Sequence, residues 1–171
     1  FDQALIGGGV RLGLAISEAI DFQVNYKYVD STISNSTDPV LFPNGELATS
    51  SLGYVATVST LDSTQDPHEG FFLRITQDYA GVGGDQTFLR SVGDARVYHE
   101  LIPNSDVIGF LRIQGGMIDG LGDPVALGEN FYRGGETIRG FAPSGIGPRV
   151  TAHADPSLIG TPVGGQTFIA A

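Results

Sequence analysis

The chain has 171 residues, 25 of them glycine and none cysteine, with nineteen acidic side chains against nine basic ones and a net charge of −10. That length suits one domain, and the absence of cysteine excludes disulfides and thiolate metal sites. The negative balance argues against nucleic-acid binding and against charge-driven docking on anionic lipid. No run of 18 apolar residues is present, so a transmembrane helix is excluded. The start, "FDQALIGGGV", lacks the basic residues and apolar run of a signal peptide, and the end, "GGQTFIAA", resembles a strand cut short. The chain therefore reads as a mature protein or an excised piece.

Alternation with period two dominates. Val10, Leu12, Leu14 and Ile16 alternate with Arg11, Gly13, Ala15 and Ser17. Next, Ile20, Phe22, Val24, Tyr26 and Tyr28 alternate with Asp21, Gln23, Asn25 and Lys27. Such a pattern puts the two sets on opposite faces of a strand. The third strand carries Leu52, Tyr54, Ala56 and Val58, with Val55 as the one exception on its polar side. A fourth carries Phe71, Leu73 and Ile75 against Phe72, Arg74 and Thr76. In the fifth, Leu89, Ala95, Val97 and Leu101 oppose Arg90, Asp94, Arg96 and Glu100. In the sixth, Val107, Leu111, Ile113 and Met117 oppose Arg112 and Gln114, and a partial seventh begins near Gly164.

The fold class expected is all-β, an antiparallel up-and-down meander. Many strands read as ten residues or more, whereas soluble domains favour about five or six. About 9–11 tilted residues cross a bilayer core. A soluble antiparallel sandwich would alternate too, but charged residues recur in mid-strand, as at Lys27, Arg74, Asp94 and Arg112. Facing a wet lumen they remain hydrated, while a basic residue facing lipid costs about 2–4 kcal/mol at the midplane. The two longest connections, residues 30–48 and 119–163, fall at one end of the meander, the asymmetry of a transmembrane barrel. The shorter links include "DSTQDPHEG", "GVGGD" and "IPNS".

Nothing in the sequence points to catalysis, a cofactor or a metal. His68, His99 and His153 lack metal-ligand spacing. "GGMIDGLGD" is a single copy of a calcium-repeat-like phrase, "GGGVRLG" precedes no helix, and "APSGIG" has the wrong spacing for a nucleophile elbow. The long loop is the exception. Its core, "GGETIRGF", sets Arg139 among glycines that permit positive φ. Arg139 is read either as a fork pairing with carboxylates of a polar lumen, with Phe141 wedged beside it, or as an exposed arginine without a role.

The stretch "FYRGGETIRGFAPSGIGPR" resembles the signature of the BamA family of outer-membrane assembly barrels, within the bacterial surface antigen superfamily. The matching positions are Phe131, Gly134, Gly135, Ile138, Arg139, Gly140, Phe141, Ile146, Gly147, Pro148 and Arg149. "DPHEGFFLRITQDYAGVGGD" resembles the family's Pro-x-x-Gly turn, next strand and Ala-Gly-x-Gly-Gly-Asp loop, and "VGGQTF" the start of the strand after the long loop. The resemblance implies about seven strands of a sixteen-stranded outer-membrane barrel, with the extracellular loop at about 119–163 and the periplasmic transport repeats absent. It implies insertion and folding of outer-membrane proteins, without covalent chemistry or cofactor. The implied partners are unfolded outer-membrane clients, assembly-complex lipoproteins and the bilayer, with no nucleic acid. It further implies a loop folded into the lumen, its arginine meeting acidic residues of the inner wall on later strands. Related readings are a TamA-like barrel, a two-partner secretion transporter and a passive porin. "SGIGPR" favours the first family over the secretion transporter. With two open strand edges, the isolated chain is expected to self-associate.

Overall fold

A computed structural model describes residues 2–36, 43–102, 105, 107–122, 124–135, 137–153 and 155–171. Seven strands follow chain order in one sheet, each antiparallel to the next. They are β1 (Asp2–Ala15), β2 (Ile20–Ser34), β3 (Gly45–Ser59), β4 (Gly70–Ala80), β5 (Phe88–Glu100), β6 (Ile108–Gly120) and β7 (Thr167–Ala170). The shortest of the first six has 11 residues and the longest 15, well beyond the usual strand of about five or six.

The register aligns the two sets of side chains across the sheet. Leu12, Val24 and Tyr54 stand level on one face, as do Val10, Tyr26, Leu52 and Tyr79. On the other face Arg11, Asn25, Gly53, Asp78, Arg90 and Ile118 form one row. A row of Asp21, Thr57, Arg74, Asp94 and Gln114 forms another. The alternation of β2 is thus as expected, with Asn25 only 6% exposed opposite a set in which Val24, Tyr26 and Tyr28 are open. The apolar face is broadly solvent-exposed, including Leu12, Leu52, Ile75, Leu111 and Ile113. The core lies on the polar face, where Ala80, Phe88, Ile118 and Val125 are buried together. The first three come from the sheet and Val125 from the long loop.

One expectation is corrected. The second and third strands run further than the apolar pattern reaches. Asp30–Ile33 and Gly45–Ala48 are paired with one another, so the connection of residues 30–48 narrows to 35–44, of which 37–42 lie outside the described residues. Ladder bonds need only backbone, so pairing continues where alternation has ceased. The glycine phrase after the fourth strand is the connection expected, and it is bonded to the neighbouring strand. Gly81 and Asp85 donate backbone N–H groups to the Ser50 and Ala48 carbonyls at 3.0 and 2.7 Å, and Ala48 N–H returns a bond to Asp85 Oδ2 at 2.9 Å. Residues 81–85 therefore continue the pairing of β3 beyond the end of β4. Gly84 presses so close that a Cβ there would lie 2.7 Å from both Ala48 O and Ser50 N. Of the turn "IPNS", Pro103 and Asn104 lie outside the described residues.

The opposite end of the sheet has compact turns. In the one between β3 and β4, Asp62 Oδ1 accepts N–H bonds from Ser63, His68 and Glu69 at 3.0 to 3.2 Å. The Glu69 bond foremost, then those of His68 and Ser63, holds its carboxyl below the usual value.

Because the neighbours of Gly84 are backbone atoms, Gly84→Ala is expected to cost about 1–3 kcal/mol. Gly93, with nothing within 4 Å of its Cβ position on the outward face, should tolerate Ala to within about 0.5 kcal/mol. Urea midpoints of the protein refolded in detergent check the difference.

Candidate functional site: the loop on the polar face

Residues 121–166 leave the top of β6, cross the polar face and return as β7. The described residues of this segment are held by turns and isolated bridges. Leu127–Glu129 and Pro156–Leu158 are single 3-10 turns, and isolated bridges join Phe131 to Gly165, Arg133 to Ile146 and Arg149 to Pro162. The outgoing limb is sewn to the wall. Val125 enters the buried cluster, and Ala126 N–H donates to Gln86 Oε1 at 3.1 Å. Arg90, on β5, meets Glu129 through Nη2 to Oε2 at 2.8 Å and also donates to the Glu129 carbonyl. Phe131 exchanges two 2.9 Å backbone bonds with Gly165 and packs edge-on against Phe168 of β7, with ring centroids 4.8 Å apart. Next comes Arg133, whose guanidinium carbon lies 3.7 Å from the centre of the Phe168 ring. Burial, and then the nearby charge of Arg112, lowers the pKa of Arg133, but a guanidinium stays charged at any physiological pH.

The motif residues divide by position. Gly134 and Gly135 open a tight hairpin, with Gly135 N–H donating to Phe141 O at 2.9 Å and Ile146 N–H to Arg133 O at 3.0 Å. Gly134 is buried at φ 131°, and a Cβ on it would collide with the Ala142 carbonyl. Ile138, Arg139, Gly140 and Phe141 form the exposed tip, Phe141 with 52% of its surface open. Among the described residues Arg139 has no hydrogen-bond or ion-pair partner. Glu136, within the same tip, lies outside the described residues. Ile146 closes the hairpin, Gly147 follows at φ 127°, and the Pro148 carbonyl accepts from Val163 N–H at 3.1 Å. Arg149 staples the two limbs, donating from Nη1 to Gly160 O at 2.6 Å and from Nη2 to Gly145 O at 3.2 Å.

Sequence reasoning left out the residues that seat the loop. Arg90 counted there only as a polar-face residue, while Glu129 and Phe168 received no role. No local pattern marked them, since the run Glu129-Asn130-Phe131 ahead of the glycine pair does not tell which strand residue it meets. Below the loop, Asp94 accepts from Arg96 and Arg112, with shortest distances of 2.9 and 2.6 Å, and from Gln114 at 3.1 Å. This polar wall is well provided with cations. The phrases that mimicked a phosphate loop and a calcium repeat lie mostly within β1 and β6.

Long meander strands, an apolar outward face and a loop laid over a polar inner face define the wall of a transmembrane β-barrel of the outer-membrane type. The chain belongs to the Omp85 superfamily, whose domain model matches residues 1–171. It is 30% identical to the outer membrane protein assembly factor BamA of Nitratidesulfovibrio vulgaris, over 91% of this chain and 20% of that protein. To BamA of Neorickettsia risticii it is 29% identical, over 94% of this chain and 20% of the relative. The human sorting and assembly machinery component 50 homolog is 33% identical over 62% of this chain and 23% of its own length. The chain thus spans about one fifth of the length of the BamA relatives.

Stacking of a guanidinium on a ring contributes about 0.5–2 kcal/mol. Arg133→Ala should therefore lower the urea midpoint of the refolded protein, whereas Arg139→Ala should leave it unchanged. Parallel unfolding curves in detergent, followed by tyrosine fluorescence, provide the comparison.

Proposed function

We propose that this chain is barrel wall and long extracellular loop of a BamA-like factor that inserts and folds β-barrel proteins in the bacterial outer membrane. The carrying observation is the match of the Omp85 domain model to residues 1–171, joined to relatives whose names state outer-membrane protein assembly. On this reading the chain contributes about seven strands of a sixteen-stranded barrel. It works without covalent chemistry or cofactor and is not an enzyme. Its partners are the bilayer, unfolded outer-membrane clients and lipoproteins of the assembly complex. The apolar face supports contact with lipid, where every backbone polar group must be paired within the protein. The loop covering the polar face weighs against passive conduction.

Within the loop, the functional motif is Gly134, Gly135, Ile138, Arg139, Gly140, Phe141, Ile146, Gly147, Pro148 and Arg149. The glycines and Arg149 shape the hairpin, and Arg139 is presented at its tip to a carboxylate elsewhere in the whole barrel. A charge-assisted contact of this kind is worth about 1.5–3 kcal/mol. Arg139→Ala in the full-length protein is expected to impair assembly of outer-membrane proteins more than Arg133→Ala, since Arg133 is one of several contacts at the loop base. Growth and outer-membrane protein levels in a depletion strain measure this, and equal defects would refute the role given to Arg139.

Produced alone, the 171-residue chain leaves one edge each of β1 and β7 without a neighbour. It should need detergent or self-associate through those edges. A monodisperse monomer by light scattering in detergent-free buffer would contradict this.

A further inference from the structure

The contacts around Arg90 form a unit that the loop motif does not include. Its guanidinium carbon lies 5.5 Å from the centre of the Phe88 ring and 5.7 Å from that of Phe131. Phe88 belongs to the wall and Phe131 to the loop, so the cation lies near a ring of each. Nη2 reaches both the carboxylate and the backbone carbonyl of Glu129. The two side chains of the pair are 29% and 27% exposed, which places them between a surface pair and a buried one.

The neighbouring acid has other partners. Asp78 is the residue directly across the ladder from Arg90, and its carboxylate is buried. It accepts from Asn25 Nδ2 at 3.2 Å and faces Lys27 Nζ at 4.0 Å. The wall acid is thus met by β2 and the wall cation by the loop. Arg90 Nε is enclosed and has no hydrogen-bond partner, so the guanidinium already relies on Nη2 for its polar contacts. Losing Glu129 would leave a partly buried cation with poorer compensation, a situation that costs more than the pair contributes when intact.

We propose that Arg90 and Glu129 form a latch, with Arg90 as the positioning residue that seats the outgoing limb of the long loop on the inner wall. The motif tip is then carried by the latch rather than the reverse. Arg139 at the tip has freedom to find its own partner, because the limb behind it is already fixed. The assignment concerns how the loop is held and does not depend on which substrate the barrel serves.

The test uses full-length protein in outer-membrane vesicles, with any cysteines outside this chain replaced. Val125→Cys introduces a thiol at a position buried against Ala80, Phe88 and Ile118, and its labelling by a membrane-impermeant maleimide reports lifting of the limb. Arg90→Met and Glu129→Gln should each raise the labelling rate about fivefold, in line with an interaction of about 1 kcal/mol. The double variant should be no faster than the faster single one, since both remove the same contact. Arg90→Lys keeps the charge but loses the planar group beside the two rings, and should raise the rate less than Arg90→Met does. Asp78→Asn, which alters the other acid beside Arg90, should also leave the rate unchanged. Heat-modifiable gel mobility confirms a folded barrel in each case, and if the Arg90 variants fail to fold, Glu129→Gln alone decides. Unchanged labelling in Glu129→Gln, or multiplicative effects in the double variant, would overturn the latch.

Discussion

Backbone hydrogen bonding is the constraint on which everything else in this molecule rests. In hydrocarbon an unpaired N–H or C=O has no water to turn to, so strands that face lipid must be paired along their length. Between its first six strands the sheet meets that demand with ladders from Asp2 against Ser34 to Glu100 against Ile108, while among the described residues the outer edge of β1 and residues 108–113 of β6 have no neighbouring strand. Even where β4 stops, at Ala80, residues 81–85 take over its place against β3. The side chains then follow from the pleat, which sends apolar residues to lipid and polar residues inward. No closely packed two-layer core is needed, and the buried cluster is correspondingly small.

That small cluster explains why the loop matters to the wall as much as the wall to the loop. Val125 completes the packing of Ala80, Phe88 and Ile118, and Phe131 lies against its margin. Around this apolar centre the contacts are mostly cationic. Arg90 reaches Glu129, Arg133 lies on Phe168, and Arg96 and Arg112 share Asp94. A chain with net charge −10 thus directs several of its nine basic residues to one inner surface. Each of these arginines is matched to an acid or a ring, as suits a planar guanidinium, which can fork and stack at once.

The strands were legible because lipid on one side and water on the other impose period two on every residue between. Where that contrast ends, so does the signal. Asp30–Ile33 and Gly45–Ala48 carry no clean alternation, yet they pair, because pairing is a property of the backbone. The loop motif was legible as a family signature, and the structure supplies the reason for Gly134, which has no room for a side chain. The Arg90–Glu129 contact was not legible. It joins residues 39 apart through a fold-back that no local period reports, and glutamate ahead of an aromatic residue is unremarkable in sequence alone.

The extended upper portion of β2 and β3 gives the wall an uneven height. Pairing of β3 with β4 stops at Ser51 opposite Ala80, while β2 and β3 stay paired up to Ile33 opposite Gly45. Residues 81–85 still bond β3 as far as Ala48, so at about 3.3 Å per residue it is residues 45–47 that extend this side of the wall, by roughly 10 Å along the strand. Held in the ladder by β2 alone, residues 45–47 are the part of the third strand freest to peel away and close again.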